Sequence, residues 1–454
     1  MLDILGIGLG PFNLSLAALL TKTDIKAKFF EQKASFNWHE GMILPSTTLQ
    51  VPFMADLVTL VDPTSEYSFL NYLHSQHRLL KFYFLEDFKI YRKEYNHYCQ
   101  WVAGQLNNLS FDAQVIDVTF NSHDDGFLVT VSEQGVQRTY QAKNVVIGTG
   151  TQPTLPPSLQ AVAKEHPNRC MHTAHFAHNF DVEAVTRASQ TAESQVEGRL
   201  PKILVLGSGQ SSAEVYRTLF DQQLDDNDDA TFQLDWMTRS AGFFPMEYSP
   251  LGLEHFSPAY TDYFYQLPQA TKSQVRAKQD LLYKGMGFDT IRDIYHRFYE
   301  RSITNQDMHS TLLSNCEVIE ATLGDTSKNM SQKILQVTCR QHEQNHVFTA
   351  DYDCIIAGTG YRHGLPKCLD TLLPLIQHDG FEQPKIDRQY TLVYAKNVVN
   401  KGKVFVQNQE VHSHGVGAPD LGLGAYRAGC IINQLTGGKT YDTDALKVFQ
   451  TFGA

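Results

Sequence analysis

The chain has 454 residues, 42% of them hydrophobic and 19% charged, which is ordinary for a soluble globular protein but too long for one simple domain. Its formal net charge of -11 argues against non-specific nucleic-acid binding, which needs a basic face. The apolar run from Leu14 to Leu20 is too short to span a bilayer and follows no basic segment, so the expectation is a cytoplasmic protein with neither membrane nor nucleic acid as partner.

In chain order, residues 2–7 pattern as a buried strand, 12–22 as a helix and 26–31 as a second strand. The stretch between the first two, "LGIGLGPFNLSLAALL", carries a dinucleotide-type turn. A phosphate pair must approach backbone N–H groups at a helix N-terminus, so side chains there must be absent. Gly6 and Gly8 meet that need. Gly10 followed by Pro11 also fits, because a proline in the first helical turn removes an N–H that has no partner anyway. Glu31 stands at the end of the next strand, where a carboxylate would hold ribose hydroxyls. The alternative is an α/β turn with no ligand.

Farther on, "AKNVVIGTG" (142–150) is another buried strand ending in glycines, and the polar 191–199 is a linker or exposed loop. "PKILVLGSGQSSAEVYRTLF" (201–220) repeats strand, turn and helix, with Gly207, Gly209, Gln210, Ser211 and Ser212 at the turn. An acidic loop (221–230) leads to a strand (232–240) ending in Thr238-Arg239-Ser240, where an NAD site would carry an acid. A cation with two hydroxyls suits a 2′-phosphate, so NADP(H) is expected over NAD(H), with a solvated surface arginine as the alternative.

Residues 241–300 lose the βα rhythm and are aromatic-rich and helical. "DYDCIIAGTGYR" (351–362) is a third strand ending in glycines, with Gly360 and Tyr361, and 422–438 is a closing helix. The expected fold is α/β: two Rossmann-like dinucleotide-binding domains with a smaller, mostly helical substrate-binding region. The expected boundaries are 1–160 and 351–454 for the first nucleotide domain, 161–240 and 301–350 for the second, and 241–300 for the insertion. Two nucleotide sites suggest a flavoprotein reduced by a nicotinamide. A disulfide reductase shares that architecture, but the seven scattered cysteines form no CxxC and suit free thiols in a reducing compartment.

The segments "GIGLGPFNLSLAALL", "FFEQKASFNWHEGMILP", "LQVPFMADLVTLVDPTSEYSFLNYL", "GSGQSSAE", "AGTGYR" and "HSHGVGAPDLGLGAYR" together resemble the siderophore-associated N-hydroxylating flavin monooxygenases, from residue 2 to about 435. These are the lysine, ornithine and diamine N-monooxygenases. The resemblance implies an FAD turn written GxGxGPxN, matched by Gly6, Gly8, Gly10, Pro11 and Asn13. It also implies flavin neighbours at Trp38, His39, Met42, Gln50, Gly360, Tyr361 and Leu421. NADPH would reduce FAD, and a C4a-hydroperoxyflavin would pass one oxygen of O2 to a primary amine. Because the cofactor carries the chemistry, no catalytic side chain and no metal are expected. A homo-oligomer, dimer or tetramer, is implied as well.

Two positions depart from that pattern. Ala55 stands where the amino-acid hydroxylases carry a lysine that grips the substrate carboxylate, and Gly422 stands where relatives carry serine. A charge-assisted hydrogen bond contributes about 1.5–3 kcal/mol, so losing that lysine should weaken lysine or ornithine by roughly tenfold to more than a hundredfold. A diamine, putrescine or cadaverine, loses nothing. The alternative is a lysine or ornithine enzyme in which Lys284 replaces the missing cation. Further alternatives are a flavin monooxygenase acting on sulfur or carbon, and a non-catalytic nucleotide-binding redox sensor.

Overall fold

The computed structural model describes all residues except 123, 190–198, 304–306, 327–328 and 454. Of the polar segment expected at 191–199, all but Arg199 lies outside the described residues. In the first domain, Leu2–Ile7 is flanked by two parallel neighbours, Ala27–Phe30 and Val136–Ile147, with Gly6 opposite both Phe29 and Val146. An antiparallel meander, Ala113–Phe120 and Phe127–Glu133, extends the sheet past Val136–Ile147. The helix Pro11–Leu20 is buried along its whole length; it carries no charge, and its two polar side chains, Asn13 and Ser15, bond to carbonyls within the protein. It sits between this sheet and the final helix, Gly422–Thr436, sharing a core with Ala428, Ile431 and Ile432.

The second domain is a five-stranded, wholly parallel sheet in the order Cys170–His172, Cys354–Ala357, Lys202–Leu206, Gln233–Met237, Ser310–Leu313. Its strands are near-continuous apolar runs, because both faces are covered. The helix Gln210–Asp221 lies on one face. A three-stranded antiparallel sheet, Cys316–Thr326, Asn329–Gln341 and His346–Tyr352, packs Val337, Cys339 and Tyr352 against the other.

Two expected boundaries move. Cys354–Ala357 is the second strand of the second sheet, so the chain returns to the first domain after Gly360 and not at 351. The outward crossing comes before 160: Gln152–Pro153 pairs antiparallel with Tyr361–Arg362, and Leu159 and Val162 already pack in the second domain. A short apolar strand ending in glycines has the same local pattern in either sheet. Only its pairing decides which one it joins. Val404–Val406 then completes the first sheet beside Val136–Ile147.

Residues 241–300 are helical as expected: Pro250–Leu253, Pro258–Gln266, Gln269–Lys278, Asp280–Tyr283 and Phe288–Ser302. Ser249 and Ser257 cap the first two, each followed by a proline that suits the first turn. Tyr260 and Phe264 pack on Val416 of the first domain, while Ile294 and Phe298 pack on the Gln210–Asp221 helix of the second. The insertion therefore bridges the two domains.

Candidate functional site

The two glycine turns have one construction. Gly8 (φ 79°) and Gly207 (φ 106°) adopt the left-handed region that favours glycine. Each donates its N–H to the end of the next strand, Gly8 to Phe30 O and Gly207 to Met237 O. A Cβ on Gly8 would stand 3.0 Å from Gly148 O, and one on Gly207 only 2.4 Å from Gly358 O. A Cβ on Gly6 would strike the Phe29 ring at 2.0 Å, so this glycine serves strand packing.

Behind each turn sits one fully buried polar side chain. Asn13 Nδ2 donates to the carbonyls of Ile7 and Gly8 and accepts from Gln407 through Oδ1. Ser212 Oγ donates to the carbonyl of Leu206. Both residues brace the turns from within the protein. The helices begin at Gly10 and Gly209, neither of which offers a capping side chain. A Cβ on Gly209 would meet nothing within 4 Å. Free N–H groups at an open helix N-terminus form an anion cradle, so both turns fit a pyrophosphate.

Charge distinguishes the turns. Glu31 folds back over the first, accepting from Leu9 N–H at 2.7 Å and Lys33 N–H at 3.0 Å. At the second, Arg239 is exposed and makes no ion pair among the described residues. Ser240 beside it meets Ser208 of the turn at 3.2 Å.

Between the domains lies a polar clasp. Gln50 Nε2 donates to Gln210 Oε1 at 3.3 Å, and the Arg92 guanidinium pairs with the buried Glu214 at 2.8 Å. Arg217 reaches Pro45 O at 2.9 Å. Gln210 also donates to Glu214 and Thr290 and accepts from Gly287 N–H, so its side chain serves this junction rather than the turn. Met42, 1% exposed, packs in the second domain's core with Met171 and Phe176; its flexible side chain fills a gap there and is no pocket lining.

Above the clasp stands an aromatic group. His39 meets Trp38 at 4.6 Å and Tyr361 at 5.9 Å between ring centroids, both edge-on, and His172 meets Tyr361 at 5.1 Å. His39 is exposed although these rings crowd it. Desolvation, with Arg92 nearby, lowers its pKa to about 4. Desolvation lowers His172 to about 4 as well. His172 Nε2 meets the Gly360 carbonyl at 3.0 Å, so it donates, and Nδ1 accepts from Ala174 N–H. Both imidazoles are neutral at pH 7. The Tyr361 hydroxyl is buried with no hydrogen-bond partner, an orphan that a bound ligand would satisfy. Gly148, Gly358 and His172 were not among the expected site residues; the repeated "GTG" at 148–150 and 358–360 carried the signal for the two glycines.

The two departures expected at the substrate end come together. A Cβ on Gly422 would lie 3.8 Å from the Ala55 methyl and 2.8 Å from Asp420 Oδ2. Asp56 turns away and accepts from the N–H groups of Val58, Thr59 and Phe69. Leu421 is half-buried against the first domain's core. Tyr248 donates to Gln50 O at 3.0 Å, linking this end to the clasp. Lys284 is elsewhere in character: exposed and paired with Asp280 at 2.8 Å, it has no buried ammonium to offer a carboxylate, which removes it as the substitute cation. Among the described residues no helix is long and apolar enough to cross a membrane, and no cluster of His, Cys, Asp and Glu is placed to hold a metal.

The family model described as L-lysine 6-monooxygenase/L-ornithine 5-monooxygenase matches residues 1–363. The chain is 42% identical to the rhizobactin siderophore biosynthesis protein RhbE of Rhizobium meliloti, over 99% of this chain and 95% of that protein. It is 38% identical to the putrescine N-hydroxylase of Shewanella oneidensis, over 99% of this chain and 84% of that one. The FAD-bound crystal structure of DfoA, the desferrioxamine-pathway cadaverine monooxygenase of Erwinia amylovora, matches with a TM-score of 0.87 at 34% identity, covering 100% of this chain and 99% of that chain.

Proposed function

The chain belongs to the L-lysine 6-monooxygenase/L-ornithine 5-monooxygenase family, and we propose that it N-hydroxylates a primary aliphatic diamine, putrescine or cadaverine, for siderophore synthesis, using FAD, NADPH and O2. The observation that carries the diamine is the meeting of two small residues, Ala55 and Gly422, with the Asp420 carboxylate and no lysine beside them. The names of the putrescine and cadaverine enzymes among its relatives support the same reading.

FAD belongs at the first turn, on Gly8, Gly10 and Pro11 with Glu31 for the ribose, and NADPH at the second, on Gly207, Gly209 and Ser211 with Arg239 for the 2′-phosphate. When bound and reduced, the flavin supplies the activated oxygen. The protein's own share is placement. The Gln50–Gln210 and Arg92–Glu214 contacts hold the two domains against each other. The neutral His39 and His172 add no positive charge beside an amine that must itself be neutral to use its lone pair. A free alkylamine has a pKa of about 10.4, so the pocket must favour its unprotonated form.

A homo-oligomer is part of the reading. The helix Leu79–Leu85 leaves Leu80, Tyr83 and Phe84 at 66%, 69% and 70% exposure, an apolar face suited to a second copy. The seven unpaired cysteines support a cytoplasmic setting. The test is product analysis of the FAD-loaded protein with NADPH under air: an N-hydroxylated diamine supports the reading. NADPH consumption that yields only peroxide contradicts it.

A further inference from the structure

Asp420 is half-buried just before the final helix. Its Oδ2 accepts from Leu423 N–H at 3.2 Å. Among the described residues no lysine or arginine pairs with it. Arg427 acts on it only through its field: its guanidinium pairs with the fully buried Glu410 at 3.0 Å and donates to the Ala418 carbonyl at 2.7 Å. Gly422 beside this carboxylate, and Ala55 against Gly422, supply no charge to it. Tyr248 stands within its field and holds its own hydroxyl on Gln50, at the flavin end of the cleft. A half-buried carboxylate held by backbone alone is costly to keep charged, and an incoming cation relieves that cost. Burial accordingly raises its pKa to about 6, so it is charged at pH 7.

Resting on the amine N-hydroxylation reading, we infer that Asp420 is the specificity-determining anchor for the second ammonium of a diamine, which approaches the carboxylate beside Ala55 and Gly422 while the first amine faces the flavin. A carboxylate-bearing substrate would meet Asp420 charge against charge. The same residue thus selects for diamines and against amino acids.

Asp420→Asn is the test, because the amide oxygen keeps the Leu423 contact and the side-chain volume while the charge is lost. The probes are cadaverine and 5-amino-1-pentanol, which share a chain length and differ in the distal group. The wild-type enzyme should prefer cadaverine by roughly tenfold to a hundredfold in kcat/KM, the span of a charge-assisted hydrogen bond. In Asp420→Asn that preference should collapse to within about threefold, mainly through KM for cadaverine, while lysine improves. Survival of the preference in folded, FAD-loaded Asp420→Asn would overturn the inference. If that variant does not fold, equal wild-type kcat/KM for the two probes overturns it alone, and a strong diamine preference supports it. Failure of the wild type to hydroxylate any amine would instead sink the reading on which the inference rests.

Discussion

At the first turn an acid, Glu31, closes over the loop; at the second an exposed cation, Arg239, stands at the end of the matching strand. The backbones beneath them are near copies. Each has a positive-φ glycine bonded to the neighbouring strand end. A second glycine, Gly148 or Gly358, donates its N–H back to the carbonyl of Ile7 or Leu206, and a buried side chain, Asn13 or Ser212, braces the turn. The second turn has one extra tie, the Trp236 Nε1–H bond to Gly207 O at 2.7 Å. The shared part is the pyrophosphate cradle, which needs only backbone N–H groups and room. Under the proposed function the differing charge selects which nucleotide's sugar each turn takes. Cradle and selectivity are therefore separable, and substitutions should separate them.

The largest effects should come from filling the cradles. Gly8→Val adds a branched side chain at φ 79° with Gly148 O only 3.0 Å from its Cβ, so purified protein should be nearly colourless for want of FAD. Gly207→Val should stay yellow but lose NADPH-driven flavin reduction by at least about a hundredfold, because its Cβ would lie 2.4 Å from Gly358 O. Loss of FAD from folded Gly207→Val would break the independence of the two turns.

Arg239→Ala leaves the cradle intact and removes only the charge. It should raise KM for NADPH by roughly tenfold to a hundredfold and barely move NADH kinetics. Equal losses with both nucleotides would return Arg239 to the solvated surface.

The smallest expected effect is a pH dependence at the substrate end. Asp420 has its pKa raised from 3.8 to about 6, so in the free enzyme its stability contribution is present below 3.8 and lost as pH rises through about 6. Tyr95, Tyr248 and Arg427 face it; the phenols stay neutral over that range and Arg427 stays on Glu410. A diamine should therefore raise the melting temperature little near pH 5 and more near pH 7. A flat profile would show that the ammonium is held elsewhere.

Much of this was legible in the sequence, for physical reasons. Glycine at a strand end before an apolar helix has few other uses, so both turns and their helices could be placed. What escaped was set by contacts distant in the chain. The strand Cys354–Ala357 looks like either sheet until it is paired. Asn13, Ser212 and Gln210 carry the right residue types for ligand contact, but their partners are in the protein. Lys284 resembled a spare cation until Asp280 was seen beside it. Ala55 and Gly422 stood out singly, and only the fold brings them together beside Asp420.

The decisive question is whether a diamine is the amine that is oxidised. The most direct measurement is the yield of N-hydroxylated product from putrescine, cadaverine, ornithine and lysine, at matched concentrations and scored by product rather than by NADPH loss. The better diamine should exceed its amino-acid counterpart by at least about tenfold in kcat/KM, the scale of a single charge-assisted hydrogen bond. A preference for lysine or ornithine would contradict the reading of Ala55, Gly422 and Asp420 together.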